Sequence, residues 1–325
     1  MLHAVAFLTV AQDTTSSPAQ VLRSTWEELA RIRSARFAAV WTIRGRLPTG
    51  TMVTTRVDYV FVGEGTRFKV ALEQHPPPGV TGAVWQVVYD GSRHSALERR
   101  AGLLLTRQQP PEGDMRLLPN PLLLPLEWLS KRSDACPGCY LQLTDLYQEQ
   151  RLEALCKNAQ WEDRDRPDMT IRIPGTGLVL DGESFDFLIQ YDKRKRWPLR
   201  IVRAGHIRRM ITETKLMYQE GGGSPPVAWR GIHRSFDATG RLMADWSYEL
   251  RDVEINPQIA ASEFQLDTNA VRTVWDDDRR LFLQTSSGYT GPGPRDLRRT
   301  ALIVLVAVNV GLLAVVAWLL RCRRS

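Results

Sequence analysis

Ala301 to Leu320 is an unbroken run without a charged residue, and it sets the first constraint on what this chain can become. Coiled as a helix the run is about 30 Å long, the thickness of a bilayer's hydrocarbon core. A core helix of a water-soluble domain rarely reaches that length without a charge, so the run reads as a transmembrane helix. Arg298-Arg299 precede it, Arg321-Cys322-Arg323-Arg324 follow it, and Trp318 stands near one boundary, where an indole favours the headgroup layer. The remainder must fold in water. With 43% hydrophobic and 24% charged residues overall, the chain is neither disordered, nor collagen-like, nor a polytopic membrane protein.

The opposite end sets the orientation. Leu2 to Ala11 is a short apolar stretch with small residues before the polar Gln12-Asp13-Thr14, so residues 1–11 resemble a signal peptide, although no basic segment precedes them. Export of the N-terminal part leaves the basic tail, 321–325, inside, as the positive-inside tendency prefers. The opposite arrangement, a tail-anchored cytoplasmic protein, would have to translocate three arginines. Residues 284–300, with Ser286-Ser287-Gly288 and Gly291-Pro292-Gly293-Pro294, offer no periodic apolar face and read as a tether. One globular domain, 16–283, is therefore expected to hang from a single C-terminal anchor. The formal charge of +7 comes from Arg and Lys scattered through alternating segments, so no nucleic-acid partner is expected. Four Cys are too few for a disulfide scaffold, and the fold must rest on apolar burial.

The globular part opens with Ser17-Pro18-Ala19-Gln20, a capping box with proline at the first helical position. Leu22, Trp26, Leu29 and Ile32 then recur at helical spacing opposite Arg23, Glu27 and Arg31. After them the period changes to two. Phe37, Ala39, Trp41 and Ile43 alternate with other residues, as do Val57, Tyr59 and Phe61, then Phe68, Val70 and Leu72, then Trp85, Val87 and Tyr89, with turns at Gly63-Glu64-Gly65 and Asp90-Gly91. The pattern returns at Phe185 to Tyr191, Leu199 and Ile201, Ile207 and Ile211, Val227 to Phe236, and Leu242 to Tyr248, the last two joined across Asp237-Ala238-Thr239-Gly240. A slip in alternation at Leu250 to Val253 predicts a bulge. The expected class is mainly β with helices: an antiparallel meander covered by helices, plus the C-terminal transmembrane helix.

Between the two sheet-like stretches lies Leu117 to Leu129, where Leu122, Leu123, Leu124, Leu126, Trp128 and Leu129 crowd together while Pro119, Pro121 and Pro125 forbid a long regular helix. It reads either as a segment that covers the core or as a lid over a hydrophobic cavity.

Catalytic constellations are not found. The five His (His3, His75, His94, His206, His233) lack metal-ligand spacing, and there is no nucleophile elbow, phosphate loop or dinucleotide fingerprint, so no metal, cofactor or enzymatic activity is expected. Ser92 lies in a hairpin turn. The acidic clusters Glu162-Asp163-Arg164-Asp165 and Asp276-Asp277-Asp278 read as solvated loops, since they lack the glycine and spaced oxygens of a calcium loop. Cys136-Pro137-Gly138-Cys139 can bring two thiols within disulfide reach, and Cys156 is a third candidate partner. A structural disulfide within this trio, unpaired or metal-binding thiols, and a redox-active pair all remain open.

Three stretches resemble the LolA-like family of bacterial periplasmic lipoprotein carriers and outer-membrane lipoprotein-sorting proteins. Leu29-Ala30-Arg31-Ile32-Arg33-Ser34-Ala35-Arg36-Phe37 is similar to that family's opening helix running into its first strand. Val88-Tyr89-Asp90-Gly91 is similar to its hairpin, and Ile255-Asn256-Pro257 through Phe264-Gln265-Leu266 to Val274-Trp275-Asp276-Asp277 to its closing segment. The resemblance implies a curved, incomplete barrel whose concave apolar face accepts acyl chains of lipids or lipoproteins, placed on the periplasmic side of a bacterial inner membrane. Alternation and apolar bulk single out Trp41, Tyr59, Phe61, Phe68, Val70, Trp85, Leu123 and Trp128 as lining or lid residues. The alternatives are a regulatory or structural ectodomain that binds another protein, with its interior filled by side chains, and a thiol-disulfide oxidoreductase using Cys136 and Cys139.

Overall fold

The computed structural model describes residues 16–46, 50–108, 118–129, 149–164, 168–175, 179–180, 183–192, 195–207, 209–219, 225 and 227–284. The chain divides into two compact units, Met1–Leu283 and Gln284–Ser325. Apart from Gln284, everything below belongs to the first. The signal-like segment, the tether beyond Gln284, Ala301 to Leu320, the basic tail, Cys136 and Cys139 lie outside the described residues, and Gln284 itself ends a strand. Among the described residues no helix is long and apolar enough to cross a membrane.

The capping box forms as its residues demand. Ser17 Oγ accepts from the Gln20 amide at 3.2 Å, the Ser17 amide donates to Gln20 Oε1 at 2.7 Å, and Pro18 opens helix α1 (Pro18–Leu29). α1 buries Val21, Leu22, Thr25 and Leu29. Six strands follow: β1 (Ser34–Arg46), β2 (Met52–Glu64), β3 (Arg67–His75), β4 (Val84–Tyr89), β5 (His94–Glu98) and β6 (Leu103–Arg107). A leucine-rich 3-10 segment, Pro121–Leu129, is kinked at Leu126 and has Pro125 inside it. Helix α2 (Glu149–Asn158) packs on α1 and leads into β7 (Gln160–Asp163), β8 (Asp168–Ile173), β9 (Val179–Leu180), β10 (Glu183–Asp192), β11 (Pro198–Gly205), β12 (Ile211–Tyr218), β13 (Ala228–Phe236) and β14 (Leu242–Ile255). Strands β15 (Thr273–Asp276) and β16 (Leu281–Gln284) close the unit.

These strands form one open sheet in the order β16-β15-β6-β5-β4-β3-β2-β1-β14-β13-β12-β11-β10-β8-β7, with β9 beside β10. Laid flat at about 4.8 Å per strand it would be roughly 65 Å wide. Helix α1, with 12 residues, is only about 18 Å long. Yet α1, the leucine segment and one face of both halves of the sheet share a single apolar core. A flat sheet cannot meet a cover that small, so the sheet bends around it. The bend has local marks. Asp252 and Val253 of β14 stand against the single residue Phe37 of β1, with Asp252 at φ 51°, which is the bulge expected from the slip in alternation. On β2 the Phe61 ring lies where a side chain at Gly63 would begin: a Cβ there would come within 2.5 Å of it.

Four expectations change. Among the described pairings β15 with β6 is parallel, so the sheet is not antiparallel throughout. Ile207 sits in the bend between β11 and β12, 70% exposed, and is not part of a strand. Glu162 and Asp163 belong to edge strand β7 and not to a loop, and charge on an edge discourages pairing with another chain. Asp276 is not solvated: its side chain is 8% exposed, its Oδ1 accepts from the Arg279 amide at 3.1 Å, and Arg93 reaches it at 3.7 Å. Beside it Asp277 pairs with Arg107 of β6, which ties the closing strand to its parallel neighbour.

Candidate functional site

Register determines what the inner face presents. One row runs Tyr248, Trp41, Val57 across β14, β1 and β2; the next runs Leu250, Ala39, Tyr59, Leu72, Trp85 from β14 to β4. A third runs Phe37, Phe61, Val70, Val87. The rings interlock along and across strands. Phe37 stacks on Phe61 at 5.0 Å, and Trp41 touches both Trp246 and Tyr248 at 5.1 Å. Beyond β14, on β13, the His233 ring lies flat on Trp246 at 4.5 Å and 8°.

Of the residues singled out by alternation, Trp41, Tyr59, Phe61, Phe68, Val70 and Leu123 lie in this one core, all essentially inaccessible to solvent, and Trp85 packs against it half-buried. Trp128 belongs to the 3-10 segment by its backbone, and its side chain lies outside the described residues. Over the face lie α1 and the start of the leucine segment. Leu122, Leu123, Leu124 and Leu126 are all buried, and the segment packs against β11 and β13. Its first turn is held locally: Asn120 Oδ1 accepts from the Leu122 amide at 3.1 Å and the Asn120 carbonyl from the Leu123 amide at 3.0 Å.

Polar atoms in this interior fall into two groups. Trp41 Nε1, Tyr59 Oη and Asn120 Nδ2 are buried without a hydrogen-bond partner. Burial raises the Tyr59 phenol far above its ordinary pKa, and no charged group contributes. The second group sits toward β11–β13 and was not singled out by alternation. Arg203 lies over the Phe185 ring at 4.8 Å, and Thr214 Oγ1 shares a hydrogen bond of 2.8 Å with His233 Nδ1. Thr212 is buried with them. Desolvation first, and then the neighbouring Arg203 charge, push His233 down to a pKa of about 3, so its imidazole is neutral at ordinary pH. The signal for this group was its register: Arg203 is two residues from Ile201, and His233 two from Gly231, on the inward side of their strands.

Of the cysteine trio, Cys156 on α2 is a free, buried thiol, and its candidate partners Cys136 and Cys139 lie outside the described residues. Its Sγ donates to the Ala19 carbonyl of α1 at 3.7 Å, and burial raises its pKa. It packs where the two helices meet. Among the described residues no three His, Cys, Asp or Glu side chains gather as metal ligands would.

No protein-family model matches the chain, and no curated protein does. Solved structures similar to it include a DUF1329 family protein from Desulfovibrio piger, at 11% identity and a TM-score of 0.45, covering 76% of this chain and 95% of that one. A domain assigned to outer membrane lipoprotein sorting from Vibrio parahaemolyticus is 11% identical with a TM-score of 0.41, covering 75% and 94%. A LolA superfamily protein from Nitrosomonas europaea is 14% identical with a TM-score of 0.39, covering 76% and 98%. At these identities and TM-scores the likeness says nothing of what this chain binds, but the similar structures do include the family that its sequence resembles.

Proposed function

We propose that this chain is a non-catalytic, extracytoplasmic binding protein for the acyl chains of lipids or lipoproteins, held at a bacterial inner membrane by Ala301–Leu320, with its main domain in the periplasm and its tail in the cytoplasm. The observation that carries the reading is the nature of the cover. The bent sheet is held together by its own backbone pairings, whereas part of its apolar face is covered by a short leucine-rich segment interrupted by proline. Leucine side chains are alkyl groups that make no directional bond to the sheet. An acyl chain can take their place, each buried methylene contributing about 0.8 kcal/mol. The segment lies between β6 and α2 in the chain.

The test is lipid mass spectrometry on the full chain purified in mild detergent. The expected result is enrichment of particular acyl lipids over the bulk membrane. A bulk lipid profile, together with failure to bind a fluorescent acyl probe, would transfer the reading to a protein-binding ectodomain. That second reading is favoured by one observation, the burial of the inner rings beneath the chain's own side chains.

A further inference from the structure

We propose that Trp41 and Tyr59 form a polar reading point within the apolar face, their N–H and O–H donating to the carbonyl oxygen of an ester- or amide-linked acyl ligand. This inference rests on the acyl-binding reading above and names the ligand chemistry that reading leaves open.

Trp41 Nε1 and Tyr59 Oη are both buried and both lack a partner, and the side chains clustered around them are alkyl groups and rings in the main. A buried donor without an acceptor works against folding, whereas phenylalanine would supply much of the same ring surface without that penalty. The two residues are also neighbours. On the antiparallel pair Trp41 stands opposite Val57 and Tyr59 opposite Ala39, so the two are diagonal on one face, about 7–8 Å apart at the backbone and within reach of a common atom through their long side chains. The other two corners of that cell on the same face are Ala39 and Val57.

The type of ligand atom follows from the donors. An indole N–H only donates, so the shared atom must be an acceptor. Tyr59 has no charged group acting on it, and an anion brought there would be desolvated without a counter-charge. A neutral carbonyl fits these conditions and a free carboxylate does not. Acyl chains joined through an ester or amide carry that oxygen at the start of the chain; alkyl ethers do not.

The experiment uses the full chain in detergent and a fluorescent ester-linked acyl probe, displaced by dipalmitoyl phosphatidylcholine or by its dihexadecyl ether analogue, which share headgroup and chain length. The expected result is that the ester competes about tenfold better, that Tyr59→Phe or Trp41→Phe each lowers this preference, and that the double variant abolishes it while still binding both lipids. Without lipid, Tyr59→Phe is expected to be at least as resistant to urea as the parent chain. Equal competition by ester and ether in the parent chain overturns the inference and leaves acyl binding standing. A Tyr59→Phe variant that is less stable without lipid and keeps the ester preference also overturns it, since the hydroxyl would then serve the fold alone. Failure of the chain to bind either lipid removes the acyl reading and the inference together.

Discussion

Gly231 of β13 stands directly opposite Tyr248 of β14, and the tyrosine ring lies where a side chain at 231 would begin: a Cβ there would come within 2.3 Å of the ring edge. The ring is pinned at its far end, where Oη donates to the Ala228 carbonyl at 3.2 Å. In an ordinary strand, replacing glycine by alanine is favourable by roughly 0.5–1 kcal/mol. Here Gly231→Ala must push the ring off its bond and is expected to destabilise the domain by about 1–3 kcal/mol. A lowered urea midpoint is the readout; an unchanged or raised midpoint would show that Tyr248 moves freely.

His233 gives the domain an acid sensitivity of known sign. The unfolded chain takes up a proton near 6.5, which the folded domain refuses until about 3. The stabilisation is therefore complete above pH 6.5 and is lost as pH falls through that window, at up to about 1.4 kcal/mol per unit. His233→Phe preserves a ring against Trp246 but cannot titrate. It is expected to have a lower plateau at neutral pH, because the hydrogen bond between Thr214 and His233 is lost, and a shallower decline toward acid. Parallel stability profiles for the two proteins would contradict this.

Leu123 separates a plug from a wall. It is wholly buried in the covering segment, so Leu123→Ala should cost about 2–5 kcal/mol of stability. If the segment competes with acyl chains for the sheet, the same change weakens the competitor and should tighten binding of an acyl probe to the full chain. Weaker probe binding would mean that Leu123 lines the ligand and does not yield to it.

Asn256 clasps three backbone groups at the junction of α1 and β1. Its Oδ1 accepts from the Arg33 and Ser34 amides at 2.7 and 3.2 Å, its Nδ2 donates to the Arg31 carbonyl at 3.1 Å, and its own φ is 57°. Asn256→Ala loses these bonds and places alanine in left-handed backbone, for an expected loss of about 2–4 kcal/mol. Asn256→Gly should recover only the backbone share. Equal losses in calorimetric scans of the two variants would assign the whole effect to the side chain.

Much of the sheet was legible because β1, β2 and β3 bury mainly one face, and burial enforces period two. Ala39, Trp41, Tyr59 and Val70 reach the interior for that reason alone. What was not legible is non-local. Nothing near Thr273 says that its strand runs parallel beside Leu103, and nothing near Ser34 says that β1 pairs with β14. The polar interior at Arg203, Thr214 and His233 went unread because polar residues in an alternating pattern are taken as outward-facing, and only the register of neighbouring strands turns them in. The unpartnered atoms of Trp41 and Tyr59 had no signature in the sequence, since hydrogen-bond satisfaction belongs to the assembled core.

The centre of the sheet joins its first strand to its fourteenth. During synthesis the N-terminal meander must therefore wait with an open edge until nearly the entire unit has emerged, and every shorter nascent chain offers that edge to its neighbours. Such a protein is safest if an escort keeps it extended until β14 arrives, and fragments cut before Leu242 should aggregate instead of folding.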